Sequence, residues 1–480
     1  MIATMPTAAE LLPLLPQLVL AGGAFALLLL DLFLDDARRV WTWVLGGALL
    51  VVVAWMSAAG IGGQGTVLSG MFVRDHMADV LNAGACLLTA LALIYAWPFL
   101  KERGLHAGEV VVLMLFAALG MTLLIAAGSL VMVYLGLELM ALSTYALVAI
   151  DRDNPMASEA AMKYFVLGSL SSGLLLYGMS LLYGATGTLD LAALRAAVEG
   201  SQETGLLLTG TVFMIAGIAF KFAAAPFHMW LPDTYHGAPT PITLFLGSAP
   251  ELASFALAFR LLESGVGPLD EQWRLLLALL AAASLVVGNL VALMQVNLKR
   301  MLAYSAVSHI GFVFLGLAGG GEAGYAAAMF YVISYAIMSA AAFGVIVVLS
   351  SKGYEADTLD DFRGLNQRSP WLAGMMLCAM FSLAGIPPFL GFWAKLAVLR
   401  AVIDGGMLWL AILGIVFAVI GCFYYLRVVK AMYFDDPPEG VPAPRGDRVL
   451  RVTLGVNALG LIALGLAWNP IMAWCQQAFM

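Results

Sequence analysis

The sequence predicts an all-α polytopic membrane protein with about fourteen transmembrane helices. Of its 480 residues, 62% are hydrophobic and only 11% are charged, and the mean hydropathy is +0.95. Soluble domains usually carry about 25% charged residues. A helix that crosses the hydrocarbon core needs about 20 predominantly apolar residues, and the chain offers about fourteen such runs. Composition and run length together therefore exclude an ordinary soluble domain.

The predicted spans follow one another with short connections. The first run lies behind Glu10 and lacks the basic region of a signal peptide, so we expect a retained helix. The run at 371–403 is long enough to be one broken helix, because Pro387 and Pro388 interrupt it. The expected spans are 11–34, 41–59, 78–100, 109–127, 129–150, 160–184, 206–231, 239–262, 273–295, 301–319, 324–350, 371–403, 407–433 and 449–474.

Lysine and arginine concentrate in the loops that follow the odd-numbered spans. By the positive-inside rule these loops are cytoplasmic, so we expect both termini to be periplasmic. The opposite loops hold Arg74, Arg195 and Arg274. The loops expected in the cytoplasm hold Arg38, Arg39, Lys101, Arg103, Arg152, Lys299, Arg300, Lys352, Arg363, Arg368, Arg445 and Arg448.

The chain shows no sequence signature of nucleic-acid binding or of a redox centre. It has no basic stripe of the kind that binds nucleic acid. The cysteines are scattered through apolar runs without metal-ligand spacing, and Walker and dinucleotide-binding motifs are missing. No cofactor or metal is therefore expected in this chain, and any electron transfer to which it contributes would take place elsewhere.

The stretch GIAFKFAAAPFHMWLPDTYHGAPTP, residues 217–241, combines an intramembrane cation with a helix break. Lys221 lies within the apolar run, where a charge costs about 2.5–3.5 kcal/mol on insertion scales. Pro226 removes a backbone donor, which only a protein-lined or wet cavity can compensate. With His228 and His236 nearby, the pattern indicates a proton or ion path. A snorkelling lysine beside an ordinary kink is the alternative.

A second break repeats this arrangement. APFHMW at 225–230 is echoed by PPFLGFW at 387–393, and the latter is followed by Lys395. Broken helices at matching places in two halves are typical of an inverted-repeat transporter core.

Three further titratable residues lie at predicted membrane depth. Glu138 is near the middle of its span and has no cation within one helical turn, so it is either paired across helices or a protonated structural residue. Glu251 lies midway along its run, directly after Pro250. His309 is either a relay group or a satisfied core histidine. Lys299 is interpreted as a topology determinant, with proton access as the alternative.

Together these groups predict a buried polar line. Glu138, Lys221, Glu251, His309 and Lys395 would hand protons along with bridging water, with His228, His236 and Lys299 as possible points of proton access. Moving one charge through ~180 mV costs about 4 kcal/mol, which is within the range of a toggling ion pair.

Five motifs in order resemble the subunit N family of bacterial NADH-quinone oxidoreductase, respiratory complex I. They are LELMALSTYAL, KFAAAPFHMWLPDTYHGAPTP, NLKRMLAYSAVSHIGF, SLAGIPPFLGFWAKL and YYLRVVKAMYF. The resemblance extends from the first span to the last. It matches the family's glutamate to Glu138 and the lysines of its two broken helices to Lys221 and Lys395. Where the family commonly has a lysine in the eighth helix, this chain has Glu251.

The resemblance implies an antiporter-like fold with two inverted five-helix repeats, at 109–262 and 273–433. A three-helix segment at 1–108 would precede them, and a cytoplasmic loop with the last helix at 434–480 would follow. The chain would be a proton-translocating subunit of the inner-membrane complex. NADH, FMN, iron–sulfur clusters and the quinone would be bound by neighbouring subunits, and the partners would be other membrane-arm subunits.

Three alternatives stay open on sequence. The first is a subunit of a multi-subunit cation/proton antiporter or membrane-bound hydrogenase, which shares the broken-helix lysines. The second is a non-pumping structural subunit. The free-energy cost of several intramembrane charges argues against it, because a purely structural subunit would not need them. A solitary solute carrier is the least favoured, because no polar cluster apart from the proton line is evident.

Overall fold

The computed structural model describes residues 11–439, 442 and 446–480, so Glu10 and Arg445 lie outside the described residues. Within the described residues, thirteen helices are long and apolar enough to cross a membrane. The fold is an all-α membrane bundle, as predicted. Its helices are α1 (Leu15–Asp31), α2 (Val40–Ala58), α3 (His76–Arg103), α4 (Gly108–Ile125), α5 (Leu130–Val148), α6 (Pro155–Thr186), α7 (Leu191–Gly200), α8 (Thr204–Lys221), α9 (Trp230–Gly237), α10 (Thr240–Leu246), α11 (Ala249–Phe259), α12 (Asp270–Leu293), α13 (Leu298–Gly319), α14 (Gly321–Leu349), α15 (Leu365–Arg368), α16 (Pro370–Ala384), α17 (Leu390–Asp404), α18 (Leu408–Phe434), α19 (Arg448–Leu466) and α20 (Asn469–Gln477).

Both proline-directed breaks are present. Helix α8 ends at Lys221, and α9 begins only at Trp230, after Pro226. Helices α16 and α17 have 15 residues each, so neither spans alone, and Pro387 and Pro388 lie between them. The two half-helices together account for the predicted run at 371–403.

Two predicted spans are interrupted where the sequence analysis expected continuous helices. The 239–262 run divides at Gly247 and Ser248 into α10 and α11. The Ser248 hydroxyl donates to Leu244 O at 2.7 Å, and Pro250, in the first turn of α11, has no N–H to donate to Leu246 O, so the helix is interrupted here. The last run divides into α19 and α20 around Trp468.

A short hairpin between α2 and α3 was not predicted. Strand β1 (Gly65–Val67) pairs antiparallel with β2 (Phe72–Arg74). Arg74 at the end of β2 forms a buried ion pair with Asp79 at 2.6 Å. This ion pair therefore joins the hairpin to the first turn of α3.

The centre of the bundle is formed by three spans. The most apolar windows of Thr240–Gly265, α13 and α14 are 94%, 94% and 89% buried within the chain, whereas those of α6 and α18 are only 33% buried. Since Glu251 and His309 belong to the central spans, the structure places these two residues in the protein interior.

Candidate functional site

The first helix break is fixed by contacts to other elements. The N–H of Ala225 donates to the Ser284 hydroxyl of α12 at 2.9 Å, and the Trp230 indole donates to Phe220 O at 3.0 Å. Lys221 is the last residue of α8, where the helix dipole favours a cation. The break therefore provides both a polar backbone and a suitable place for the charge.

A cavity of about 20 Å³ adjoins Lys221. A buried water requires roughly 10–15 Å³ on this measure, so one water fits. Leu137 and Ala141 of α5 line the cavity and flank Glu138 in the chain. The half-buried Glu138 has one carboxylate oxygen without a hydrogen-bond partner among the described residues. Polar and aromatic groups complete the lining: Tyr145, Tyr164, Ser171, Ser172 and Trp230.

Glu251 lies in the first turn of α11, next to the unpredicted break. It is 6% exposed, and its Oε2 has no hydrogen-bond partner among the described residues. The positive end of a helix dipole favours a carboxylate at this position. Lys221 acts on Glu251 electrostatically, but the two do not form an ion pair within 4.0 Å. The structure thus brings Lys221 and Glu251 near each other without direct contact.

Tyrosines connect Glu251 to the histidine of α13. The Glu251 carboxylate interacts electrostatically with Tyr235 and Tyr335. The Tyr335 ring lies 4.9 Å from the His309 ring, measured between centroids. The nitrogens of His309 are within hydrogen-bonding distance of two hydroxyls, Nδ1 at 2.8 Å from Tyr331 and Nε2 at 3.0 Å from Tyr425. His309 is therefore hydrogen-bonded through both ring nitrogens.

The hydrogen-bonded network continues beyond His309. The Tyr425 hydroxyl is 2.5 Å from the Ser305 hydroxyl. In the adjacent layer, Asn289 donates to the Ser308 hydroxyl at 2.8 Å and accepts from Tyr424 at 3.1 Å. The sequence analysis missed these partners of His309, although Tyr331 and Tyr335 lie one helical turn apart in an apolar span, which is a signal for one polar face.

Lys395 reaches back from α17 to the preceding half-helix. Its ammonium donates to Leu383 O and Ala384 O, both at 2.9 Å, and lies 5.3 Å from the Phe312 ring centroid. These carbonyls are at the C-terminal end of α16, the negative end of its dipole. Lys395 also acts electrostatically on His309. Lys221 thus ends α8, whereas Lys395 belongs to α17 and places its ammonium at the C-terminal end of α16.

The possible access residues cluster around α9. Lys299 is 3% exposed and donates to Ala238 O, the carbonyl of the residue that follows α9, at 2.8 Å, so its side chain is buried within the chain. His236 Nε2 is 3.7 Å from Asp357 Oδ2. The half-buried His228 has a ring nitrogen without a partner among the described residues.

An ion cluster beside these residues was not predicted. The Asp233 carboxylate binds Lys163 and Arg300, each at 2.7 Å. Across the described residues, no group of three or more histidine, cysteine, aspartate or glutamate side chains is suited to hold a metal ion.

Comparisons with known proteins agree with this geometry. Residues 127–421 match the family described as NADH:quinone oxidoreductase/Mrp antiporter, transmembrane. NADH-quinone oxidoreductase subunit N of Xanthomonas euvesicatoria pv. vesicatoria is 65% identical, covering 98% of this chain and 97% of the relative. The protein of the same name from Herminiimonas arsenicoxydans is 49% identical, covering 98% of each.

Solved structures show the same fold. A chain of respiratory complex I from Thermus thermophilus superposes with a TM-score of 0.82 at 32% identity, covering 95% of this chain and 98% of that one. A chain of the Mrp complex from Dietzia sp. has a TM-score of 0.83 at 23% identity, covering 98% and 97%, and shows the fold alone. The chain therefore belongs to the NADH-quinone oxidoreductase subunit N family, within the broader NADH:quinone oxidoreductase/Mrp antiporter family.

Proposed function

We propose that the chain is a proton-translocating membrane-arm subunit of a bacterial NADH-quinone oxidoreductase. One observation carries the proposal: Lys221 and Lys395 adjoin two helix breaks, and the buried Glu251 and His309 interact electrostatically with Lys221 and Lys395, respectively. Intramembrane ionisable groups are costly, and in such an arrangement they typically mark a proton or ion path. Family membership supports protons and quinone-linked electron transfer as the setting.

The proposed relay runs from Glu138 through Lys221, Glu251 and His309 to Lys395. The cavity beside Lys221 supplies room for one water, and Leu137, next to Glu138 in the chain, lines it. Electrostatic coupling of Lys221 to Glu251, and of His309 to Lys395, allows the charge of one group to change the proton affinity of the next. Water is expected to bridge the remaining gaps, because these groups do not all touch.

Energy for translocation would come from changing these pairings. Lifting one charge through ~180 mV requires about 4 kcal/mol. Two unit charges about 5 Å apart interact by about 3 kcal/mol at an effective dielectric constant of about 20. One or two pairings made or broken per cycle therefore suffice to drive one proton.

Protons would reach the relay from the α9 side. His228, His236 and Lys299 are the candidate access residues, because they surround α9 directly after the break at Pro226. The second break, at Pro387 and Pro388, would connect the relay to the opposite side of the membrane. These roles rest on position and on the loop charges, which favour a cytoplasmic location for the α9 side and periplasmic termini.

Electron transfer is assigned to other subunits of the complex. NADH, FMN, iron–sulfur clusters and a quinone would be bound there, and neighbouring antiporter-like subunits would be direct partners in the inner membrane. We further propose that 109–262 and 273–433 are the two inverted repeats, which are related by the matching breaks and lysines. Residues 1–108 and 434–480 would then flank this core.

A cation/proton antiporter subunit is the second candidate, because the Mrp-like fold is shared. Identification of the chains that co-purify after mild detergent extraction tests the assignment. Peripheral NADH-oxidising subunits are expected. An antiporter assembly without them would overturn it.

A proton-flux assay separates pumping from a purely structural role. The variant Lys395→Arg retains the cation but cannot readily release a proton. We expect it to assemble and to lose most proton pumping in reconstituted complex. Full pumping would remove Lys395 from the relay.

A further inference from the structure

A surface groove of about 500 Å³ lies between the starts of α16 and α19. One wall is Trp371, the second residue of α16. The other is a single stripe of α19: Arg448, Arg451, Val452, Gly455, Val456 and Leu459. The stripe follows helical spacing, so all of these residues share one face. The groove is basic at one end and apolar along the rest.

The basic end has unused binding capacity. Arg448 and Arg451 are exposed, and neither guanidinium forms an ion pair or hydrogen bond with a residue that the structure describes. Guanidinium groups bind phosphate by charge-assisted, often bidentate hydrogen bonds. Tryptophan is enriched at the membrane–water boundary, and the start of α19 is where that boundary is expected. An anionic headgroup is therefore the matching ligand chemistry.

The stripe as a whole has about the length of one membrane leaflet. The eleven residue steps from Arg448 to Leu459 rise about 17 Å, of which the apolar part from Val452 to Leu459 is about 10 Å, and half of the ~30 Å hydrocarbon core is about 15 Å. Gly455 forms the floor, where a Cβ would be 2.9 Å from Trp371 Cζ2. Val456 is 72% exposed on the stripe. An extended acyl chain would cover these side chains.

The charge pattern favours a lipid over a partner helix. Two guanidinium groups at the boundary end of an otherwise apolar groove match a phosphate joined to an acyl chain, whereas a partner helix would need an acidic residue at the same level. From these observations we propose that the groove binds an anionic phospholipid, with its phosphate on Arg448 and Arg451 and one acyl chain along α19.

Photocrosslinking in the intact complex tests this site. The residue p-benzoylphenylalanine is introduced in place of Val456, and the complex is reconstituted in nanodiscs with equal phosphatidylglycerol and phosphatidylcholine. We expect several-fold more crosslinking to phosphatidylglycerol. In the variant Arg448→Gln/Arg451→Gln the preference should fall to near parity, because each interfacial cation contributes about 1 kcal/mol of attraction toward anionic lipid.

A matched control removes two other exposed cations that the loop charges assign to the same membrane face. The variant Arg38→Gln/Lys352→Gln leaves the groove intact and should retain the phosphatidylglycerol preference. Equal crosslinking of both lipids in the parent complex would overturn the proposal, as would equal losses in both double variants. Crosslinking to another subunit instead of lipid would show that a polypeptide occupies the groove. If Arg448→Gln/Arg451→Gln does not assemble, Arg451→Gln alone is expected to give a smaller loss, and an unchanged preference there would contradict the proposal.

Discussion

Coupling between Lys221 and Glu251 is the most informative prediction about the relay. The two groups interact electrostatically but do not come within 4.0 Å of each other. At about 6–8 Å and an effective dielectric constant of about 20, opposite unit charges attract by about 2–3 kcal/mol. Removing either charge should therefore withdraw about 2 kcal/mol from the charged form of the other. We expect both Lys221→Ala and Glu251→Gln to impair coupled turnover.

A double-mutant cycle measures this interaction. Turnover and proton pumping are recorded in inverted membrane vesicles for Lys221→Ala, Glu251→Gln and the double variant. About 2 kcal/mol of coupling makes the double variant roughly 30-fold more active than the product of the single losses. Glu263→Gln is the matched control, because Glu263 lies at the end of the same span but binds Tyr325 and Arg195 instead. Losses that simply multiply would refute the coupling.

Three further predictions address the second half of the chain. Tyr425→Phe removes the hydroxyl that His309 Nε2 contacts, so pumping should fall by about tenfold, consistent with about 1–3 kcal/mol for an unsatisfied buried group. Gly465→Ala places a Cβ directly against Pro388 O, so the unfolding midpoint of the complex should fall, consistent with a destabilisation of about 1–3 kcal/mol. A cysteine at Gly446 should be labelled by an impermeant reagent only from the cytoplasmic side.

Each of these predictions has a clear opposing result. Wild-type pumping in Tyr425→Phe would separate the hydroxyl from the relay. Gly460→Ala on the same helix is the control for Gly465→Ala, because a Cβ there meets nothing within 4 Å. Equal stability of the two alanine variants would contradict the close approach of α19 to the second break. Labelling at Gly446 from outside intact cells would reverse the proposed orientation.

Much of the architecture was accessible from sequence because membrane depth restricts the chain strongly. Apolar run length predicted the spans, and proline chemistry predicted the breaks at Pro226 and at Pro387 and Pro388. The residues at which the individual half-helices end were predicted less closely. Helix α8 stops at Lys221, five residues before Pro226, because Ala223 is left-handed (φ 54°) and the Ala224 N–H donates to Ala219 O at 2.8 Å, which closes the helix with a C-terminal cap.

The rest of the site depends on contacts between distant segments. One local feature was also missed: the eighth span divides at Gly247, just before Pro250, whose missing N–H interrupts the helix. The tyrosines around His309 come from α14 and α18, so their role requires knowledge of helix packing. The buried position of Lys299 likewise depends on its bond to Ala238 at the end of α9.

Proton-to-electron stoichiometry in reconstituted complex tests the central claim most directly. Proton uptake per NADH oxidised is measured in proteoliposomes for the parent complex and for Lys221→Ala, with assembly verified by native electrophoresis. If Lys221 belongs to the proton path, the assembled variant will show either a lower ratio or a parallel loss of pumping and coupled turnover. An assembled variant with unchanged turnover and an unchanged ratio would contradict proton translocation through this lysine.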